Sequence, residues 1–208
     1  MDSQPLMRDG LALVISRALL CEVYVEEGDF TSATARVLEK RIDLVISDFR
    51  IHGETGLKFL ETIARSEGAT RCLIFSAFDE LQIGYACMRA GASGFVSKSS
   101  HTDKLVAAVK TVLEGRHYVS EVLAKALMGK NEVALKGSIG ALLTSRELEV
   151  FSLIAAGMVV SQIALRLGIS VKTVEAHREN IKNKLGCDNA SQVVAAAVRW
   201  LDSASVAI

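Results

Sequence analysis

Three short apolar runs in the first half of the chain each end in a polar residue, and this pattern constrains the fold most. The runs and their polar ends are Leu44-Val45-Ile46 with Asp48, Cys72-Leu73-Ile74-Phe75 with Ser76, and Gly94-Phe95-Val96 with Lys98. Consecutive apolar residues are typical of strands that are covered on both faces, as in parallel α/β sheets. Helical patterns between the runs predict a parallel sheet with helices on both sides.

Apolar spacing also gives the expected bounds of the elements. The predicted helices are Pro5–Leu20, Thr31–Lys40, Leu57–Ser66, Asp79–Ala90 and Thr102–Glu114, and the further strands are Val23–Val25, Arg71–Ala77 and Gly94–Lys98. The side chains expected to face inward are Ala35 and Leu38 in the second helix, and Leu105, Val106, Val109 and Leu113 in the last.

Asp48, Ser76 and Lys98 are expected to meet, because the carboxyl ends of parallel strands share one edge of a sheet. A carboxylate can accept a phosphoryl group, while a hydroxyl and an ammonium can bind its oxygens. Magnesium is usually held by one or two carboxylates with phosphate and water, and Asp2 is the candidate for a second carboxylate. Taken singly, Asp48 and Ser76 are as typical of a turn or helix cap at a strand end, and Lys98 of a solvated surface charge, as of a binding site. Their joint placement predicts a phosphoryl-binding pocket.

Residues 2–120 resemble the receiver domain of two-component response regulators. The motifs that carry the resemblance are Asp48 with Gly56 eight residues on, Phe75-Ser76-Ala77, Ala90-Gly91-Ala92, and Phe95 three residues before Lys98. The resemblance implies that Asp48 is the phosphoacceptor, Ser76 the switch hydroxyl, Phe95 the aromatic that turns inward with it, and Lys98 the phosphoryl-binding lysine. It also implies a sensor histidine kinase as phosphoryl donor and Mg²⁺ held by Asp2 and Asp48.

The chain departs from the receiver pattern at its start. Ser3 stands where the second acid of a receiver is expected, and only Met1 precedes Asp2, so the first strand is absent. That strand is interior in the flavodoxin-like order 2-1-3-4-5, and its loss predicts a gap in the core beside unpaired backbone groups. Two explanations stay open: a start further upstream, or a degenerate receiver with a rearranged sheet. His52 also replaces a proline usual in the loop after the phosphoacceptor.

A linker is expected between the two halves. Ser120–Met128 predicts one short helix, and the residues that predict a flexible linker are Gly129, Lys130, Asn131, Gly137, Ser138 and Gly140. The expected division is therefore a receiver domain at 1–120, a linker with a short helix at 121–142, and a helical domain at 143–208.

The second half predicts four helices. Thr144 and Glu147 form a capping box at the first, and Gly157 ends it. The others are Val160–Leu167, Val171–Leu185 and Ser191–Leu201, the last with Asn189 and Gln192 placed for its cap. A tight turn at Gly168-Ile169-Ser170 makes the middle pair a helix-turn-helix unit.

The long helix Val171–Leu185 is the expected DNA-reading element. Its apolar side is Val171, Val174, Ile181 and Leu185. Arg166, Lys172, Arg178, Lys182 and Lys184 outnumber Glu175 and Glu179, which gives the local positive charge that phosphate contacts need. The residues expected at base edges are Glu175, Ala176 and Glu179, and those expected at the DNA backbone are Lys172, Thr173, Arg178, Lys182 and Lys184.

Residues 143–201 resemble the LuxR-type DNA-binding domain of NarL/FixJ-like regulators. The matching segments are Leu143–Val150, Gln162–Leu167, Ser170–Arg178 and Lys184-Leu185-Gly186. The resemblance implies that Val171–Leu185 is the recognition helix and that the last helix is a dimer contact. Val159 departs from the pattern, because a capping serine is usual there.

Composition narrows the class of protein. A formal net charge of zero excludes a generally basic nucleic-acid coat. The start carries no secretory pattern, no apolar run approaches the ~20 residues of a membrane span, and the four cysteines are scattered. We therefore expect a soluble cytoplasmic protein with reduced thiols and no membrane partner.

The two halves together predict a transcription regulator that is controlled by phosphorylation of Asp48 and binds double-stranded DNA as a homodimer. The first alternative is a regulator with a degenerate receiver, switched by dimerisation or a protein partner without phosphate. The second is an α/β enzyme, which the absence of G-x-S-x-G, G-x-G-x-x-G and P-loop motifs argues against.

Overall fold

The computed structural model describes residues 1–24, 29–129, 135 and 137–205. The elements are α1 (Pro5–Leu19), α2 (Phe30–Glu39), β1 (Leu44–Ser47), β2 (Arg50–Ile51), β3 (Glu54–Thr55), α3 (Leu57–Arg65), β4 (Arg71–Ser76), α4 (Glu80–Arg89), β5 (Gly94–Ser97), α5 (Thr102–Leu113), α6 (Glu121–Leu127), α7 (Ile139–Leu142), α8 (Ser145–Ala155), α9 (Val160–Leu167), α10 (Val171–Lys184) and α11 (Ala190–Ser205). Most predicted bounds hold to within one or two residues.

The first half is a parallel sheet with flanking helices, as the apolar runs predicted. Its three strands lie in the order β1-β4-β5. Leu73 and Ile74 of the middle strand are buried on both faces of the sheet, together with Phe95 and Val96 of β5. The register pairs Ser47 with Ile74 and Ser76 with Ser97, which brings the carboxyl ends of the strands together at one edge.

Among the described residues no strand precedes β1 in the sequence. Met1 lies beside the outer edge of β1. Its amino group donates to the Ile46 carbonyl at 2.6 Å, and its carbonyl accepts from the Asp48 amide at 2.9 Å. The predicted gap is present as a cavity of about 410 Å³, lined by the edge of β1 and by side chains of α1, α2 and α5.

The predicted strand at 23–25 is wrong for Val23 and Tyr24, which have no regular structure. Val25 lies outside the described residues. A strand forms only against a neighbour, and among the described residues β1 pairs with β4 alone.

Some helix faces are turned relative to the prediction. The residues expected inside but found exposed are Ala35 and Leu38 of α2, Leu113 of α5 and Val171 of α10. Helix α2 begins earlier than predicted because the Asp29 carboxylate caps it, accepting from the Ser32 amide at 2.8 Å. The inward positions of α2 are therefore Phe30 and Ala33, and in α5 Ala108 and Val112 are buried where Leu113 was expected.

The prediction of a flexible linker is wrong at its C-terminal end, at Ser138 and Gly140. Ser138 caps the short helix α7, and its hydroxyl accepts from the Ala141 amide at 3.2 Å. Gly140 packs against α4 so closely that a Cβ there would lie 2.6 Å from the Gln82 carbonyl oxygen. Lys130 and Asn131 lie outside the described residues.

Four helices, α8 to α11, build the second half around Leu148, Phe151, Val174 and Ile181, all fully buried. The predicted capping box is confirmed: the Glu147 amide donates to the Thr144 hydroxyl at 3.3 Å, and the Thr144 amide donates to Glu147 at 2.8 Å. Gly168, with φ of +63°, ends α9 in the left-handed conformation. Ser170 caps α10, so the predicted helix-turn-helix forms. None of the described helices has the length and apolar character that a bilayer crossing requires.

Candidate functional site

Three strand ends form a polar pocket around Asp48. The Ser76 hydroxyl donates to Oδ1 of Asp48 at 2.8 Å, and the Lys98 ammonium donates to Oδ2 at 2.6 Å. Ser76 is fully buried, and the side chain of Asp48 is 13% exposed. The structure thus brings together the three residues that the strand pattern placed at one edge, with the carboxylate open to solvent on one side.

Asp2 completes this pocket from the start of the chain. Its Oδ2 atom lies 2.7 Å from the Lys98 nitrogen, so a single ammonium bridges two carboxylates. The Gln4 amide donates to Oδ1 of Asp2 at 2.8 Å, and Arg8 donates to its carbonyl at 2.8 Å. Asp2 is only 1% exposed, whereas Ser3 is exposed. The first turn of α1 therefore positions Asp2.

The charge balance of the pocket keeps Lys98 ionised. Burial by itself would lower the pKa of the Lys98 ammonium, but the nearby Asp48 and Asp2 carboxylates outweigh it, and the pKa is raised. An ionised lysine at this position can pair with an anionic oxygen, such as one of a phosphoryl group.

Sequence reasoning missed Arg50. Burial lowers its pKa, and the negative charge of Asp48 opposes that effect. Its Nε–H group is buried and donates to no acceptor among the described residues. The sequence feature that could have identified Arg50 is its position two residues after Asp48. Phe95 is buried in the core on β5, three residues before Lys98.

The pocket has the donor chemistry that Mg²⁺ requires. Asp2 and Asp48 bring two carboxylates close to the same point, where both pair with the Lys98 ammonium, at 2.7 and 2.6 Å. Mg²⁺ needs only one or two carboxylates when phosphate and water supply the rest. In the described part of the chain no group of three or more His, Cys, Asp or Glu residues gathers into a metal site.

Helix α10 presents the predicted DNA-binding side chains at the surface. Those that are exposed are Lys172, Thr173, Glu175, Ala176, Glu179 and Lys184, and those that are half-buried are Arg178 and Lys182. The Lys182 ammonium pairs with Glu179 at 2.7 Å, within the same helix. The helix is thus accessible along its polar side.

Lys184 is also part of the domain's internal structure. Its ammonium lies 2.6 Å from the Glu147 carboxylate of the capping box. Burial would raise the pKa of Glu147, but hydrogen bonds from Lys184 and Thr144 lower it overall. Lys184 therefore connects the end of α10 to the start of α8.

The two halves meet through an aromatic cluster, formed by Phe49, Phe78, Phe151 and Trp200. The ring centroid of Trp200 lies 4.8 Å from that of Phe78, 5.5 Å from Phe151 and 6.4 Å from Phe49. Phe49 directly follows Asp48, and Phe78 comes two residues after Ser76. The last helix, α11, therefore packs against residues that neighbour Asp48 and Ser76 in the sequence.

Side chains of the second half also make polar contacts with the β2–β3 hairpin. The Ser152 hydroxyl donates to the Gly53 carbonyl at 3.1 Å, and Arg166 of α9 pairs with Glu54. Nearby, the Ser145 hydroxyl donates to Glu61 of α3 at 2.8 Å. The hairpin begins two residues after Asp48, so it links the pocket to the helix-turn-helix.

Comparisons with known proteins match both halves. Residues 1–110 match the family described as response regulator receiver domain, and residues 141–197 match bacterial regulatory proteins, luxR family. Oxygen regulatory protein NreC of Staphylococcus epidermidis is 32% identical over 206 residues, covering 95% of this chain and 94% of that protein. NreC of Staphylococcus aureus is 31% identical over 205 residues, with the same coverage.

Solved structures show the same arrangement of elements. RcsB from Salmonella enterica serovar Typhimurium, bound to promoter rprA in the presence of the phosphomimetic BeF₃⁻, matches with a TM-score of 0.74 at 21% identity, covering 95% of each chain. A LuxR-family two-component response regulator from Aurantimonas matches with a TM-score of 0.56 at 30% identity, covering 63% of this chain and 94% of the other.

Proposed function

The chain belongs to the response regulators that join a receiver domain to a LuxR-family domain, and from this premise we propose that phosphorylation of Asp48 controls its binding to DNA. As a member of that family it is a DNA-binding regulator and not an enzyme. The observation that carries the residue assignment is the convergence of Ser76 and Lys98 on the two oxygens of Asp48, at 2.8 and 2.6 Å.

The phosphoryl transfer follows from the chemistry of the pocket. An oxygen of Asp48 attacks the phosphorus of a phosphohistidine on a sensor kinase; the new P–O bond forms as the P–N bond breaks, and the histidine departs. Lys98 and Ser76, released from the carboxylate, bind oxygens of the phosphoryl group. Asp2 and Asp48 would hold Mg²⁺, which supplies positive charge to that group when bound.

The aromatic cluster supports a route from the pocket to the DNA-binding half. Moving Ser76 and Lys98 onto a phosphoryl group shifts the strand ends that carry Phe49 and Phe78. Those rings hold Trp200 of α11. Loss of that packing frees the second half to pair with another copy, for which the exposed Val194 and Val198 of α11 offer an apolar face. Dimers then read half-sites about 34 Å apart.

The division into residues 1–120, 121–142 and 143–208 fits this scheme. It is supported by the two family matches, which end at 110 and begin at 141. Binding to DNA requires access to the chromosome. We therefore place the protein in the cytoplasm.

A regulator that works without phosphate is the alternative. Ser3 in place of an acid favours it. In that case dimerisation or a protein partner shifts the domain packing. Measuring phosphoryl incorporation and DNA affinity on the same preparation separates the two functions.

Lys182→Ala is expected to weaken binding to all DNA sequences about equally. A phosphate contact adds one released counterion, so the slope of log K against log salt should flatten by ~1. Fluorescence anisotropy across a salt series measures the slope. Lys125→Ala on α6 is the matched control, because Lys125 is likewise a lysine whose ammonium pairs with a glutamate on the same helix. An unchanged slope for Lys182→Ala would remove it from the contact set.

Glu54→Gln is expected to raise the DNA affinity of the unphosphorylated chain by up to about fivefold. The substitution removes the ion pair that holds Arg166 against the hairpin, and a partly exposed pair contributes ~0–1 kcal/mol. Glu67→Gln, an exposed glutamate just after α3, is the control for lost negative charge. Equal changes in both variants would assign the effect to net charge instead of domain release.

A further inference from the structure

Side chains of α4 hold the starts of both linker helices, α6 and α7. The Ser120 amide, at the N-cap of α6, donates to the Glu80 carboxylate at 2.9 Å. The Ile139 amide, in the first turn of α7, donates to the side-chain oxygen of Gln82 at 3.4 Å. The first amides of a helix have no partner within that helix. Helix α4 therefore supplies acceptors that α6 and α7 need.

Two glycines make these helix contacts close. A Cβ atom at Gly84 of α4 would lie 2.8 Å from Cδ2 of Leu123, a fully buried side chain of α6. A Cβ atom at Gly140 of α7 would lie 2.6 Å from the Gln82 carbonyl oxygen and 3.0 Å from Cα of Ile83. Non-bonded carbon atoms normally pack about 3.5–4.0 Å apart, so neither contact has room for a methyl group. Helices α6 and α7, docked on α4 in this way, are here called the linker clasp.

The linker clasp connects the phosphoryl pocket to the second half. Asp79 caps α4 three residues after Ser76, and the Phe78 amide donates to the Ser76 hydroxyl oxygen at 3.5 Å. On the other side, α7 is followed by the buried Leu143 and then by Thr144, which caps α8. Helix α4 is thus joined to the pocket at its start, and it packs against the segment that leads into α8.

We propose that the linker clasp is a second connection, beside the aromatic cluster, through which the phosphoryl pocket controls the DNA-binding half. This inference deepens the proposed function and rests on it. When Ser76 turns from Asp48 to a phosphoryl group, the hydrogen bond from the Phe78 amide to its hydroxyl is lost, and the start of α4 is free to shift. Gly140 meets backbone atoms of α4, which cannot adapt as a flexible side chain would. A small shift of α4 therefore undocks α7 and frees the start of α8.

Gly140→Ala tests the linker clasp with a single methyl group. Gly140 lies in a helix and has no positive φ, and alanine is a better helix former than glycine. The expected effect is therefore lost docking and not a weaker helix. Hydrogen exchange at the Ile139 amide should become at least tenfold faster. The DNA affinity of the unphosphorylated chain, measured by fluorescence anisotropy, should rise at least about fivefold, the low end of the usual coupling between two sites.

Gly10→Ala on α1 is the matched control, because a Cβ atom there would meet no neighbouring atom of the described residues within 4 Å. It should leave exchange at Ile139 and DNA affinity unchanged. Gln82→Ala is a second test variant, which removes the acceptor of the Ile139 amide without adding volume. It should change both quantities in the same direction by about twofold, the low end for one lost hydrogen bond. Circular dichroism reports whether each variant folds.

Faster exchange at Ile139 in Gly140→Ala with unchanged DNA affinity would overturn the proposal, and so would unchanged exchange. If Gly140→Ala does not fold, Gln82→Ala decides by the same two measurements. Exchange in these variants requires no phosphate, so failure of Asp48 labelling, which contradicts the proposed function, leaves the result readable. A chain that is labelled on Asp48 and binds DNA more tightly, yet shows no faster exchange at Ile139, contradicts only the linker clasp.

Discussion

Asp48→Asn is expected to abolish incorporation of phosphate from labelled acetyl phosphate. The amide cannot form an acyl phosphate, and no second carboxylate in the pocket has the same partners. Asp48 accepts from both Ser76 and Lys98, whereas the Asp2 side chain is 1% exposed and is held by the Gln4 amide. Incorporation should fall by at least a hundredfold, the scale expected when a covalent nucleophile is removed.

Asp43→Asn is the matched control for this experiment. Asp43 is an exposed aspartate at the opposite end of the same strand, so it has the same chemistry without the pocket. Labelling of Asp43→Asn should equal that of the unaltered chain. If Asp48→Asn is labelled as strongly as the control, the phosphoacceptor lies elsewhere.

Trp200→Ala should cause the largest loss of stability of any single truncation at the domain contact. The ring is 5% exposed and packs against aromatic residues from both halves. Truncating a buried Trp or Phe to Ala typically costs ~3–5 kcal/mol through lost transfer energy and the cavity left behind. Urea unfolding followed by circular dichroism measures the free energy of unfolding.

Val198→Ala on the same helix controls for changes in helix α11 itself. Val198 is 41% exposed, so its truncation should cost under ~1 kcal/mol. The same loss in an isolated fragment 137–208 as in the full chain would mean that Trp200 serves only its own domain. A loss that is larger in the full chain assigns the difference to Phe49 and Phe78.

The fold was predictable where the sequence signal is local. Buried strands show as consecutive apolar residues, and the capping box of Thr144 and Glu147 fixes the start of α8 within one residue. Predictions failed where a segment becomes a strand only by pairing with another part of the chain. Val23 is apolar and β-branched, yet it has no regular structure, because a strand also needs a neighbour and among the described residues β1 pairs with β4 alone.

The site was predictable for similar reasons. Parallel strands deliver their carboxyl ends to one edge, so Asp48, Ser76 and Lys98 had to approach one another once the strands were assigned. The domain contact was not predictable, because Trp200 lies about 150 residues from Phe49 and its sequence shows only an apolar helix position. The role of Gly140 was not predictable either. A glycine in this stretch predicted a flexible linker, whereas in the structure its lack of a side chain permits close packing on α4.

The most direct test measures DNA affinity with and without phosphate on Asp48. A duplex that the chain itself selects from a random library is titrated in the presence of acetyl phosphate and Mg²⁺, and fluorescence anisotropy reports binding by the unaltered chain and by Asp48→Asn. Phosphorylation should tighten binding by about 5- to 150-fold, the usual range of coupling between two sites, and only in the unaltered chain. Equal affinity with and without acetyl phosphate, while Asp48 is labelled, would contradict control by phosphorylation.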